Sequence, residues 1–154
     1  MKWRGLVVLM VCAAPLVATA QTGVNVPPSG SYVPRLGDIM NAVQTRHMKL
    51  WFAGKSANWD LAAYELRQLK AGLVEAALLY EGIPVNNVTT MAQPVQSVAD
   101  AIEAKDGKKF AKVYVDLTSG CNACHQSIGR GYIVIRVPDV SPFSDQQFAP
   151  QGKP

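Results

Sequence analysis

The stretch Phe110-Ala-Lys-Val113-Tyr114-Val-Asp-Leu117-Thr-Ser-Gly120-Cys121-Asn-Ala-Cys124-His125-Gln-Ser-Ile128 decides how this chain reads. Phe110, Val113, Tyr114, Leu117, Cys121, Cys124, His125 and Ile128 recur at the spacing of one face of an α-helix. Asp106 or Gly107 opens that helix, and Gly129 closes it. Two cysteines and a histidine therefore share the buried stripe with ordinary core residues. Gly120 costs about 1 kcal/mol against alanine in a helix, and its expected return is room for a flat group beside the cysteines.

Three amphipathic patterns precede this helix. The first runs from about Arg35 to Ala53, with Leu36, Ile39, Met40, Val43, His47, Leu50 and Trp51 on one face, and Gly54 stops it. The second runs from about Trp59 to Tyr80, with Asn58 as its N-cap and Gly82 and Pro84 at its end. Its stripe is Trp59, Ala62, Ala63, Leu66, Leu69, Leu73, Ala76, Ala77 and Tyr80. The third is shorter, from about Thr90 or Pro94 to Ala104, with Val95, Val98, Ala99 and Ile102 inward. This places Pro94 in the first turn, where its missing N–H is tolerated.

Short connections between such helices predict an all-α, antiparallel four-helix bundle. The chain then divides into a flexible lead at 21–34, a bundle over 35–128 and an extended C-terminal tail over 129–154. The tail holds Tyr132-Ile-Val-Ile-Arg-Val137, one strand-like run with no partner strand, followed by repeated prolines. It is expected to lie on the bundle.

The chain opens with Met-Lys-Trp-Arg, an apolar run from Leu6 to Val17, and Ala18-Thr19-Ala20. That is a charged start, a hydrophobic segment and a small-residue cleavage site, so 1–20 reads as a secretory signal peptide. The run is shorter than the roughly 20 apolar residues that a membrane span needs. Cys12 lacks the small residues that a lipoprotein signal sets before its cysteine. Cleavage takes the formal charge from +4 to +2 by removing Lys2 and Arg4, and leaves two of the three cysteines. No basic cluster points to nucleic acid; Lys108, Lys109 and Lys112 read as a solvated helix face.

Cys121-Asn-Ala-Cys124-His125 is Cys-x-x-Cys-His, the attachment signal of c-type haem. Each thiol adds to a haem vinyl group, and the adjacent histidine meets the iron from the proximal side. Two other chemistries compete. A redox dithiol sits at a helix N-terminus after a strand, whereas here a helical stripe precedes the cysteines. Structural zinc takes four ligands, and the motif supplies three. An export signal and the absence of any other cysteine in the exported chain favour one covalent haem c.

Met40, Met48 and Met91 all precede His125, so a sixth iron ligand must come from upstream. Met40 and His47 differ by only about 20° around the first helix and lie roughly 10 Å apart along it. They cannot serve the same position. In an antiparallel bundle the end of the fourth helix lies near the start of the first, which favours Met40 as distal ligand, with His47 as runner-up and an open position as the third case. Methionine with histidine raises the reduction potential and suits electron transfer. An open position lets ferrous iron bind a diatomic gas.

A signal peptide, four helical patterns and a Cys-x-x-Cys-His late in the fourth resemble the cytochrome c prime and cytochrome c556 group, over roughly Arg35 to Ile128. The resemblance implies a periplasmic haem protein, often a homodimer through the first two helices. Members carry electrons when six-coordinate and bind nitric oxide or carbon monoxide when five-coordinate. Met40 matches approximately the distal position of that family. The expectation is a non-enzymatic, one-electron carrier between periplasmic or membrane-bound redox partners, with gas binding as the alternative. A peroxidase ranks last, because the spare histidine, His47, has no evident acid–base partner.

Overall fold

Four α-helices follow one another with short connections: α1 (Leu36–Lys55), α2 (Trp59–Leu79), α3 (Val85–Glu103) and α4 (Gly107–Ser127). This computed structural model describes residues 32–83 and 85–152, apart from the side chains of 85–89. The expected signal peptide, 1–20, and most of the expected lead, 21–34, lie outside the described residues. The helices form the expected antiparallel bundle. α1 packs chiefly on α2 and α4 chiefly on α3, and α2 with α3 and α1 with α4 close the ring. No strand occurs among the described residues, and none of their helices is long and apolar enough to cross a membrane.

Local chemistry sets the helix ends. The Asn58 side chain accepts from the Leu61 backbone N–H at 3.2 Å and so caps α2, as its sequence position suggests. Asp106 does the same for α4, accepting from Lys108 and Lys109 N–H at 3.0 and 2.9 Å. α4 ends in a Schellman turn: Gly129 has φ +70°, its N–H meets the Gln126 carbonyl at 3.1 Å, and Arg130 N–H meets the His125 carbonyl at 2.7 Å.

The core is aromatic where the α1 C-terminus meets the start of α4. Phe110 and Tyr114 are fully buried. Trp51 lies against Tyr114 with ring centroids 4.8 Å apart, and Trp59 meets the edge of Phe110 at 6.1 Å. Gly54 lies directly beneath the Phe110 ring, with no space for a Cβ. Burying such side chains contributes about 1.5–3 kcal/mol each. Among the described residues one acidic side chain is buried: Glu65, held by Arg46 at 3.2 Å.

Two expectations need correction. α3 begins at Val85, so Pro94 lies inside it, not in its first turn. The helix continues because its inward stripe does: Met91, Val95, Val98, Ala101 and Ile102 are all buried, and Met91 lies upstream of the proline. Gly120 does not make room for a flat group. A Cβ there would stand 2.8 Å from Met91 Sδ and 3.8 Å from the Pro94 ring, so the glycine lets α3 and α4 approach.

Candidate functional site

Toward the start of α1 and the end of α4 the two helices enclose a cleft of about 410 Å³. Cys121, Cys124 and His125 from α4 line it, with Met40 and His47 from α1. Every residue singled out for the site thus reaches one space. The other walls are mainly apolar, among them Leu36, Val43, Leu73, Ile83 and Ile128, with Arg130 as their one formal cation. The volume falls within the roughly 300–1,000 Å³ typical of ligand sites.

The helix register fixes which residues are level. His47 Nε2 lies 2.9 Å from Thr118 Oγ1, the Tyr114 hydroxyl donates to the His47 carbonyl at 2.6 Å, and the Trp51 ring lies tilted against Tyr114. Seven residues from Thr118 toward the end of α4 is His125. Seven residues from His47 toward the start of α1 is Met40. Both steps are about 10 Å. Met40 is thus level with His125, while His47 is level with Thr118.

The two histidines are held differently. His125 Nδ1 lies 2.8 Å from the Ile133 carbonyl, which can only accept. Nδ1 is therefore the donor, and in the neutral ring Nε2 keeps its lone pair. His47 is 2% exposed. The Thr118 hydroxyl donates to the Tyr114 carbonyl at 2.9 Å, so it accepts from His47 Nε2–H. His47 Nδ1 is then a bare acceptor, and among the described residues it is the one buried side-chain polar atom without a partner. Burial lowers the His47 pKa from 6.5 to about 4, so the ring is neutral at pH 7.

Cys121 is not an activated thiol. Burial, then the neighbouring Cys124, push the Cys121 thiol up to about 11, opposite to the shift of a redox-active cysteine. The two cysteines are not joined in a disulfide. Among the described residues no three His, Cys, Asp or Glu side chains converge on a single metal ion, which is the geometry zinc would need. A flat, apolar macrocycle with two thioether attachments and one imidazole ligand matches the donor set: two thiols, an Nε2 lone pair and an apolar cleft.

Three site features lay outside the sequence reading. Thr118 is buried although polar, because its hydroxyl bonds the carbonyl four residues back. Met91 belongs to the cleft wall. Asn122, inside the motif, ties the tail to α4: its Nδ2 donates to the Ile135 carbonyl at 2.9 Å and its Oδ1 accepts from Ile135 N–H at 2.8 Å. The available signal was spacing, since Asn122 and His125 are three apart on a helix and face the same way. Comparison with protein-family models, with curated proteins and with solved structures finds no match to this chain.

Proposed function

We propose that this chain is a periplasmic, mono-haem c-type cytochrome that carries single electrons between redox partner proteins. The observation that carries the reading is the convergence of Cys121, Cys124 and His125 on one apolar cleft, with His125 Nδ1 committed to a carbonyl and Nε2 left to bind a metal. Cys121 and Cys124 would hold haem c through thioethers, and His125 would be the proximal ligand. When bound, the haem iron supplies one-electron exchange between its ferrous and ferric states.

The chain's own residues do the rest. Leu36, Val43, Leu73 and Ile83 keep water from the site. Arg130 carries the charge that matches a haem carboxylate. Met40, level with His125, would be the distal ligand, and a thioether there would favour the ferrous state. His47 lies about two turns away with Nε2 engaged by Thr118, so its role is a neutral hydrogen-bond acceptor at the cleft wall. Donor and acceptor are periplasmic or membrane-bound proteins. The self-association that the resemblance implies would cover Leu78 on α2, which is 80% exposed.

The test is the purified, exported protein. Its mass should exceed that of the chain cleaved after Ala20 by one haem, and Cys121→Ala with Cys124→Ala should abolish the excess. Its ferrous spectrum should be low-spin and unmoved by carbon monoxide, and Met40→Ala should make it high-spin and sensitive to the gas. Sensitivity in the wild type would replace electron transfer with gas binding. No change on Met40→Ala would sink the distal assignment.

A further inference from the structure

Ile133 lies between two anchors. Upstream, the Schellman turn at Gly129 folds the chain back, and Ile133 N–H bonds the Arg130 carbonyl at 2.8 Å. Downstream, both polar atoms of the Asn122 amide engage the backbone of Ile135. Between these points the Ile133 carbonyl stands 2.8 Å from His125 Nδ1. Further on, the Asn58 Nδ2 donates to the Phe148 carbonyl at 3.1 Å, and the Phe148 ring packs on Phe52 at 5.6 Å. The tail is therefore tied along α4 and again beside the start of α2.

We infer that the segment from Arg130 to Ile135 is a strap that orients His125, and that Asn122 is a positioning residue acting through it. This rests on the haem reading above. Asn122 is not among the residues that line the cleft. It fixes the register of Ile135, and so where the Ile133 carbonyl stands. That carbonyl holds the proton on Nδ1 and raises the basicity of Nε2, as outer hydrogen bonds do for metal-bound histidines. A more basic ligand favours ferric over ferrous iron. The strap thus opposes the distal methionine and lowers the potential.

The experiment compares wild type, Asn122→Ala and Asn122→Asp as purified full chains. Asp keeps the acceptor for Ile135 N–H and loses the donor. Mass should show the haem still attached in all three, because the cysteines are untouched. In Asn122→Ala the ferric-to-ferrous equilibrium should move toward ferrous by roughly tenfold, which is about 59 mV for one electron. Exchange of the His125 Nδ1 proton, followed by proton NMR of the ferric protein, should accelerate together with it. Asn122→Asp should fall between. An unchanged potential and unchanged exchange in Asn122→Ala would overturn the strap. So would a potential shift without faster exchange, since the effect would then bypass His125. If the wild type carries no haem, the proposed function fails, and the strap is judged in that same protein by the nitrogen shifts of the His125 ring. A proton fixed on Nδ1, released to Nε2 by Asn122→Ala, supports the strap; a ring already protonated on Nε2 refutes it.

Discussion

His47 shows how one buried ring couples structure to pH. Folding takes it from water into a site where its charged form is disfavoured, so its pKa falls from 6.5 to about 4. Between these values the unfolded chain binds the proton and the folded chain does not. The contribution is therefore complete above about pH 6.5 and is lost as the pH falls toward 4, by about 3 kcal/mol. His47→Gln keeps a donor for Thr118 but cannot titrate. Urea denaturation of both forms from pH 7 to pH 4 should show the wild type losing about 3 kcal/mol more than the variant. Parallel profiles would mean that His47 is not buried in its neutral form. The placement of Met40 and His47 on one face was legible in the sequence, because about 20° of separation follows from spacing alone. The partner of His47 was not. A threonine among core residues reads as a polar interruption until its hydroxyl is seen to be satisfied by its own helix.

At the scale of the helix, legibility follows the strength of the punctuation. Asn58 and Asp106 were visible as helix starts because each has a short side chain just before an apolar period. The start of α3 was not, since an isolated proline ordinarily marks a boundary, and here the buried stripe carries the helix past Pro94. Gly129 was legible as a stop, but not as the hinge that returns the chain along α4. A Cβ at Gly129 would meet nothing within 4 Å, so replacing it costs only backbone conformation. Gly129→Ala should lower stability by about 1–2 kcal/mol, and Gly129→Asn by less, since asparagine adopts this conformation more readily. Urea midpoints at unchanged slope would show this. An alanine variant as stable as the wild type would mean that the turn does not hold at φ +70°.

At the scale of the whole molecule, the two ends of the bundle are built differently. Where Trp51, Phe110 and Tyr114 meet, the space between α1 and α4 is filled. Where Met40 and His125 line one space, it is a cleft of about 410 Å³. The sequence revealed four stripes and the end of the bundle that carries the motif, but not the filled aromatic end or the extent of the cleft, because periodicity marks which residues face inward and not whether they meet. An empty, closed cavity of that size would cost ~10 kcal/mol at about 24 cal/mol per Å³. That rivals the about 5–15 kcal/mol that stabilises a whole domain. An unfilled cleft must therefore collapse or take up water, and the helix ends around it loosen first. Hydrogen exchange on the chain carrying Cys121→Ala and Cys124→Ala should locate the loss. On the proposed function, amides near Met40 and Ile128 should lose protection by orders of magnitude relative to the wild-type chain, while those of Leu50, Tyr114 and Leu117 should retain most of theirs. A uniform loss would mean that the aromatic end cannot hold without the other. No loss would mean that the cleft is not the seat of the proposed haem.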